Sequence, residues 1–551
     1  MAFFGDTTFG RSPPSQHGWH EAWSTSLRAM AALAWFMIVV ALGTMLAASE
    51  PGPTVVSDCT ERGLLAGIRA GGEVRLACNG TVVLNAPIAV EVGANLELNG
   101  NEQDVVLHGN GATRLFEVAP GGTLTLRHVT LTGGSAANGG AIVNAGKLTV
   151  IDSTFAGNTA GNAGAIDNSG ALSITDSTFT TNAATSAGGQ GGAIRNGIEA
   201  VLTITTSTFS GNSASRGAGG AIENFFGTAS LSASTVTGNH ALTGGGIDNV
   251  GSLTVTRSTF DANHAVDGGA ITNTPSVDDL PATAMIANST FHANNATVAG
   301  GALNNAGTGH ATVINSTFAE NAAGKGASVW SQTESLTLKN SILANGRGAG
   351  ECVVATITLQ QASLIDGGGN VADDFSCGTY RQADPGLQPL QSAGGPTQTM
   401  TITGASPAFE AGVRATCLVA EPFGAGSADQ RGFPRTSCSA GAFEPQLRAP
   451  AGPSVALTDP LVEGACVAVG GAAPPGSASR TLRTIRWDWG DGSESYSWFP
   501  ASHLYREPGR HVIHLTAYWS DDTTVSASIP VQTTAPPSGL GAQDCRLRGS
   551  S

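Results

Sequence analysis

Between residues 80 and 345, apolar and polar residues follow each other in short runs with a period of two. In each run, apolar or small residues fall at the first, third, sixth and eighth positions, as in Leu148, Val150, Ser153 and Phe155. Two short strands joined by a kink give this spacing, whereas a helix needs spacings of three and four. The pattern therefore predicts strands with one face in a core.

These runs recur along the chain at a nearly regular interval of 24 to 31 residues, measured from one Phe position to the next. A G-G-A-I-x-N phrase precedes each run, and an Asn follows each Phe position by three residues. The phrase or a close variant occupies 139–144, 164–168, 191–196, 219–224, 244–249, 268–273 and 300–305, and the Phe position is held by Phe155, Phe179, Phe209, Val236, Phe260, Phe291 and Phe318.

A repeat of this length predicts the coils of a parallel β-helix. With G-A-I-x-N as the first strand, we expect three strands per coil, with Gly at the corners. Because successive coils rise by about 4.8 Å, equivalent residues lie directly above one another. We therefore expect the Phe side chains to stack inside, and Asn144 and Asn158 each to begin a column of amides that bond from coil to coil.

Composition limits the classes of function. A chain of 551 residues with 75 Gly and 12% charged residues is too long for one compact core and favours a repetitive architecture. The net charge of −15, with no cluster of Arg, argues against a nucleic-acid partner.

The N-terminal region contains one apolar run at 29–48, after a polar segment at 1–28. The run is long enough to span a bilayer as a helix, and it also fits the core of a signal peptide. Both alternatives predict that the chain after Ser49 is exported, and the membrane is expected as a partner only through this segment.

The eight cysteines include no C-x-x-C pair and none lies within the repeats, which favours disulfides in an oxidising compartment over a metal site. Pairing in chain order is expected, although the order alone leaves other connectivities open. The expected pairs are Cys59 with Cys78, Cys352 with Cys377, Cys417 with Cys438, and Cys466 with Cys545.

The phrase GGAI-x-N followed by STF-x-x-N resembles the polymorphic outer-membrane protein repeat, a right-handed β-helix module of bacterial surface proteins. The stretch 384–412, with DQRGFPR at 429–435 and GAFE at 441–444, resembles the C-terminal part of a choice-of-anchor Q domain. The resemblance covers about residues 55–445. It implies a fold and a cell-surface location, and it implies no established activity.

The segments TIRWDWGDGS at 484–493 and HVIHLTAYW at 511–519 resemble a PKD domain, an immunoglobulin-like β-sandwich. This resemblance implies an adhesive or spacer module without catalysis.

The expected fold class is all-β, with a right-handed, pectin-lyase-like parallel β-helix, then a sandwich, and one N-terminal hydrophobic helix. We expect a polar segment at 1–28 and a signal-peptide core or transmembrane anchor at 29–48. The β-helix repeats are expected at 55–345, with the β-helix end and cap at 346–445. A linker at 446–453, a PKD domain at 454–535 and a tail at 536–551 would follow.

Candidate catalytic residues occupy the outward position of G-A-I-x-N, because pectin lyases and polygalacturonases place acids on one strand of successive coils. This column reads Val143, Asp167, Arg195, Glu223, Asp248, Thr272 and Asn304. Stacking places Glu223 and Asp248 about 5 Å apart and Asp167 and Glu223 about 10 Å apart, near the separations of glycosidase carboxylates. The alternative is a solvated column in which Arg195 bridges two acids.

Two further columns give weaker signals. His240 and His264 occupy equivalent positions one coil apart, but no third ligand is evident, so no metal site and no cofactor are expected. An outward Thr column could bind a ligand or could consist of ordinary exposed strand residues. It reads Thr154, Thr178, Thr208, Thr235, Thr259, Thr290 and Thr317.

Two functions remain open from the sequence. The favoured one is a non-catalytic bacterial surface or secreted protein for adhesion, binding a polysaccharide or a surface protein. The other is an extracellular polysaccharide lyase or glycoside hydrolase that uses Asp167, Arg195, Glu223 and Asp248.

Overall fold

A computed structural model of the chain describes residues 53–70, 72–100, 103–275, 282–332, 335–355, 364–378, 381–446, 453–458, 460–473, 480–499 and 501–534. The segments at 1–28 and 29–48, the tail at 536–551 and Cys545 lie outside the described residues. Within the described ranges, no helix is both long and apolar enough to cross a membrane.

From Thr54 to Gln382 the chain winds as a parallel β-solenoid of about 11 turns. Along a complete coil it passes through four sheets, which we name C, A, B and D in that order. Each strand pairs in parallel with its equivalent one coil away, so that Phe155 pairs with Phe179. The predicted all-β class with a parallel β-helix is confirmed.

The strands of the four sheets have the following bounds. Sheet A contains Thr54–Val56, Gly72–Leu76, Asn95–Asn99, Thr123–Arg127, Lys147–Ile151, Ala171–Thr175, Val201–Thr205, Thr228–Ser232, Ser252–Thr256, Thr283–Ala287, His310–Ile314, Leu336–Lys339 and Ile365–Asp366. Sheet B contains Gly80–Val83, Val105–His108, Thr130–Thr132, Thr154–Ala156, Thr178–Thr180, Thr208–Ser210, Thr235–Thr237, Thr259–Asp261, Thr290–His292, Thr317–Ala319, Ile342–Ala344, Val371–Ala372 and Arg381–Gln382. Sheet C contains Ile88–Val90, Phe116–Val118, Ile142–Asn144, Ile166–Asn168, Ile194–Asn196, Ile222–Asn224, Ile247–Asn249, Ile271–Asn273, Leu303–Asn305, Val329–Ser331 and Cys352–Val354. Sheet D contains Ser135–Asn138, Thr159–Asn162, Ala183–Ala184, Ser213–Ala218, His240–Thr243, His264–Asp267, Asn295–Ala299, Ala322–Lys325 and Arg347–Gly348.

The strands of sheet D make the prediction of three strands per coil wrong. They follow the Asn that comes three residues after the Phe position, where Ala, Gly and polar residues give no clear period of two. One signal for them exists, an N-x-A phrase in successive coils whose Ala is buried. These residues are Ala160, Ala184, Ala214, Ala241, Ala265, Ala296 and Ala323.

The interior of the β-helix is held by stacked columns. The rings of Phe155 and Phe179 lie 4.6 Å apart between centroids, nearly parallel, and Phe209 continues the stack at 4.8 Å. Val236 occupies the next rung, and the stack resumes from Phe260. The predicted internal Phe column is confirmed, with one aliphatic interruption.

Two columns of fully buried Asn residues run beside the Phe stack. In the column that begins at Asn144, each side-chain amide donates to the carbonyl oxygen of the next Asn at 2.7–2.8 Å, as far as Asn305. In the column that begins at Asn158, the same bonds measure 2.9–3.0 Å and reach Asn321. Both predicted amide columns are confirmed.

The residues at the kink between sheets A and B also form a column through successive coils. The residue there adopts a positive φ between 44° and 52° in successive coils, although none of these residues is Gly. The Ser that follows the kink accepts a hydrogen bond from the backbone of the previous coil, as Ser177 does from Ser153 at 3.2 Å. The kink residues are His128, Asp152, Asp176, Thr206, Ala233, Arg257, Asn288, Asn315 and Asn340.

Other elements cover the ends of the β-helix. Helix α1, Glu61–Ala70, buries Leu64 in the main core next to the first coils, between Cys59 and Cys78. Helix α2, Arg414–Leu418, belongs to the cap. Three of the expected disulfides are present, Cys59–Cys78, Cys352–Cys377 and Cys417–Cys438. The fourth expected pair includes Cys545, which is not among the described residues.

After the cap, short antiparallel sheets enclose a second core rich in aromatic residues. The buried residues of this core include Trp487, Trp489, Trp519 and Tyr505. One sheet contains Leu461–Glu463, Cys466–Val469 and Ala501–Leu504, another contains Leu482–Asp488, Glu494–Tyr496, Arg510–Trp519 and Thr524–Gln532, and Ala456–Leu457 pairs with Gly471–Ala472.

Glu351 is a buried acid near the C-terminal end of the β-helix, with 2% of its surface exposed. The hydroxyl of Ser328 and the backbone N–H of Gly346 each donate to its carboxyl group at 2.5 Å. Burial nevertheless raises its pKa from 4.5 to about 7, and the charges of Asp373 and Asp374 act in the same direction.

We expect Phe179→Ala to lower the free energy of unfolding by about 3–5 kcal/mol, because it leaves a cavity between two stacked rings. The neighbouring Thr180→Ala, on the outer face, should cost less than about 1 kcal/mol. Urea unfolding followed by circular dichroism measures both changes. Equal losses for the two variants would contradict the Phe stack.

We expect the stability of the wild type to fall as the pH rises from about 4.5 to about 7, because Glu351 holds its proton more tightly in the folded chain than in the unfolded one. In Glu351→Gln, the fall in the free energy of unfolding across this pH window should be smaller by about 3 kcal/mol. Melting temperatures across this pH window give the measurement. Glu320→Gln, on the surface of a neighbouring coil, should keep the wild-type slope, and an unchanged slope in Glu351→Gln would contradict the assignment.

Candidate functional site in the inside corner between sheets C and D

The outward residues of sheet C form one continuous column. Each of these residues pairs with its equivalent in the next coil of the parallel sheet. The pairs run in order through Val143, Asp167, Arg195, Glu223, Asp248, Thr272 and Asn304. The column continues to Glu117 and Ala89 at one end and to Trp330 at the other.

Glycine bends place this column in a concave corner. Between sheets D and C the chain turns at Gly219, Gly244 and Gly268, with φ of 68°, 60° and 65°. A Cβ on Gly219 would lie 2.3 Å from the carbonyl oxygen of Ile222, and one on Gly268 would lie 2.2 Å from Oγ1 of Thr272. Gly predominates where the end of sheet D folds back onto sheet C, although Ala163 holds the equivalent position in the coil of Asp167 with a φ of 56°. We call the space between the two sheets the inside corner.

The middle of the column is buried, contrary to the solvated column considered from the sequence. Glu223 is 1% exposed and Asp248 is 6% exposed, while Asp167 and Arg195 are half-buried. The outward direction of a strand residue does not expose it when a neighbouring sheet closes over it.

Arg195 does not bridge two acids. Its Nη1 lies 3.3 Å from Oδ1 of Asp167, and its Nε donates to Oε1 of Gln190 at 2.8 Å. Its guanidinium also lies 5.2 Å from the ring centroid of Phe225. These contacts hold the guanidinium towards Asp167, and within the described residues no ion pair joins it to Glu223.

The two buried acids therefore lack a paired cation. Oε2 of Glu223 has no hydrogen-bond partner, whereas Oδ2 of Asp248 accepts a hydrogen bond from Thr243 at 2.6 Å. Burial raises the pKa of Glu223 well above its ordinary value, the charge of Asp248 raises it further, and the charge of Arg195 opposes both effects. Burial raises the pKa of Asp248 to about 6 despite the Thr243 bond. The pKa of Asp167 is also raised by burial, and Arg195 opposes this shift.

Unsatisfied polar atoms concentrate in the inside corner. Among the described residues, five buried side-chain nitrogen or oxygen atoms have no hydrogen-bond partner. Three of them, on Glu223, Asn304 and Trp330, belong to this one column. Such atoms are uncommon in folded proteins and often mark a site for water or an ion.

An open pocket of about 250 Å³ lies on sheet C near the N-terminal end of the column, and we call it the corner pocket. It is lined by Ala89, Val118 and Val143, by Glu91, and by the ion pair of Arg114 and Glu117, whose nearest atoms lie 3.3 Å apart. Arg114 and Glu117 are not among the residues predicted from the repeats, because they precede the first G-G-A-I-x-N phrase. Their only sequence signal is the backward extension of the strand pattern.

A second open pocket, of about 590 Å³, lies on the outer face of sheet A. Its lining includes Thr283, Met285, His310 and Thr312. It has hydroxyl groups and one imidazole but no ion pair, so its chemistry differs from that of the corner pocket.

The outward Thr column of sheet B is divided between a free part and a covered part. Thr259, Thr290 and Thr317 are buried under the cap. The amide of Gln430 donates to Thr259 at 2.9 Å and accepts from Thr290 at 2.6 Å. Three of the seven members of this candidate binding array therefore form a docking surface for the cap of the same chain.

The segment 429–435 makes further buried contacts on the β-helix. Arg435 donates to the side-chain oxygen of Asn288 at 2.8 Å and is itself fully buried beside Glu444, at 3.6 Å. The kink residue Arg257 lies 2.8 Å from Glu421 in the cap. These polar contacts thus hold the cap against the β-helix.

His240 and His264 pair in register on sheet D. Within the part of the chain that the structure describes, no three His, Cys, Asp or Glu residues group closely enough to hold a metal ion.

No family model and no curated protein match the chain. Two solved structures are similar to 15% of it: the PKD1 domain of Vibrio anguillarum Epp, with 20% identity and 96% of that domain covered, and the PKD1 domain from Vibrio cholerae metalloprotease PrtV, with 17% identity and 99% covered. Both have a TM-score of 0.14, which is too low to support an argument about this chain.

We expect Gln430→Ala to loosen the cap, because it leaves the buried hydroxyls of Thr259 and Thr290 without their amide partner. Each hydroxyl keeps one other partner, Gln398 or Thr399, so a loss of about 1–3 kcal/mol follows from the two lost hydrogen bonds. Limited proteolysis should cut residues 384–444 at least tenfold faster than in the wild type. The exposed Gln388→Ala provides the control, and equal cutting rates in the two variants would contradict the docking role.

Proposed function

We propose that the protein is an exported, non-catalytic binding protein, with a β-helix that presents an open corner pocket to a polysaccharide or surface protein. The observation that carries this proposal is the burial of Glu223 and Asp248. A general acid or base must lie within hydrogen-bond reach of the group that it serves. Two carboxyl groups that are 1% and 6% exposed do not offer this reach to a glycan chain.

The corner pocket supports a binding role. Its floor is apolar, from Ala89, Val118 and Val143, and its charged groups are Glu91, Arg114 and Glu117. An apolar surface with a few placed polar groups is typical of ligand sites.

The disulfides support export. Three are present, with no free cysteine among the described residues, and such bonds persist mainly outside the cytosol. The segment at 29–48 would direct export as a signal peptide or remain as an anchor. The resemblance to polymorphic outer-membrane protein repeats and to choice-of-anchor Q domains favours the bacterial surface, where the PKD-like sandwich would act as a spacer or adhesive module.

The second candidate is an extracellular polysaccharide lyase or glycoside hydrolase. It would have to use Asp167 and Arg195, the two charged members of the predicted column that keep substantial exposed surface. Their mutual ion pair leaves neither group free to act as a base, which favours the binding role.

The test combines a glycan array with assays for reducing ends and unsaturated products, using the full chain. We expect binding without product, and Val143→Trp, which fills the corner pocket, should weaken binding at least tenfold. Thr312→Trp, which fills the sheet A pocket, is the matched control and should bind as the wild type does. Product release that disappears in Glu223→Ala, Asp248→Ala or Asp167→Asn would establish the enzyme instead.

A further inference from the structure

We propose that Glu223 and Asp248 bind one hard divalent cation, of the chemical class of Ca²⁺, within the inside corner. This site is separate from the open pocket, and the inference does not depend on the proposed function.

The geometry of adjacent coils suits an ion between the two carboxyl groups. Glu223 and Asp248 pair directly in sheet C, so their backbones lie about 4.8 Å apart and both side chains enter the corner. Calcium binds oxygen at 2.3–2.6 Å, so oxygens on opposite sides of one ion lie about 5 Å apart.

The charge of this pair is only partly balanced by the protein, because Arg195 acts on Glu223 through its charge but forms no ion pair with it. Arg195 is held towards Asp167 by Gln190 and the Phe225 ring, and the described residues provide no ion pair to Glu223 or Asp248. A buried carboxylate normally needs a partner charge or a bound metal. Oε2 of Glu223, on a residue that is 1% exposed, has neither a donor nor a cation.

The available ligands select the class of ion. The two carboxyl groups and the hydroxyl of Thr243, which lies 2.6 Å from Oδ2 of Asp248, are all oxygen donors. Oxygen ligands suit calcium and magnesium, whereas zinc and copper prefer His and Cys. No third carboxylate, imidazole or thiolate completes a group of three within the described ranges, so backbone carbonyls and water must complete the shell.

Because only two of the ligands are charged, we expect the site to bind calcium weakly. Extracellular calcium modules bind with dissociation constants of about 10⁻⁴–10⁻³ M, and we expect a value in this range. The ion would join two neighbouring coils in the middle of the β-helix.

The test uses the full chain, freed of metal with a chelator and titrated with CaCl₂ by isothermal calorimetry. We expect one Ca²⁺ per chain and a rise in Tm of at least 3 °C at 10 mM CaCl₂. Glu223→Gln and Asp248→Asn should each weaken binding at least tenfold. Glu223→Gln replaces an unpaired carboxyl group by an amide of the same shape, so we expect it to fold as the wild type does.

Asp167→Asn is the matched control, because Asp167 lies two rungs from Glu223 on the same column and pairs with Arg195. It should bind Ca²⁺ as the wild type does. The inference is overturned if the wild type gives neither heat nor a shift in Tm at 10 mM CaCl₂, or if binding survives in both Glu223→Gln and Asp248→Asn.

Discussion

The β-helix depends on hydrogen bonds between identical buried amides in neighbouring coils. Each Asn except the last of each column donates to the Asn of the next coil, and all of them are buried. A buried amide without a partner costs about 1–3 kcal/mol, so a coil that loses register leaves orphaned groups on both neighbours. This constraint requires the same residue type at the same place in each coil, and it gives the sequence its repeat.

The same register creates columns of any other residue type at equivalent positions, including charged ones. On an open sheet such a column would be solvated and its ion pairs would contribute little. Here the Gly bends fold sheet D against sheet C, so Glu223 and Asp248 are desolvated and their pKa values rise. The chemistry of the corner therefore comes from backbone geometry at Gly219 and Gly244 as much as from the acids.

The parallel β-helix, the Phe stack and the amide columns could be predicted from the sequence because each follows from residues that repeat at a regular interval. The fourth strand could not be predicted from periodicity, since its Ala and Gly residues carry no period-two signal and its one trace in the sequence is the repeated N-x-A phrase. The Gly bend before Glu223 is visible in the sequence, but it does not predict burial by itself, because Arg195 follows the same kind of bend at Gly191 and is only half-buried. The contact of Gln430 with Thr259 joins residues 171 positions apart, and only the folded cap brings them together.

The outward Thr column illustrates why periodicity alone does not define a binding site. Thr154 and Thr290 occupy equivalent positions in the repeat, yet Thr290 is fully buried by Gln430 and Thr399 of the cap, whereas Thr154 is not. The repeat determines which side chains are aligned, and the non-repeating segments determine which aligned side chains remain accessible. Function in this β-helix must therefore be sought where a column meets a bend, a cap or an end, because only there do equivalent residues acquire different surroundings.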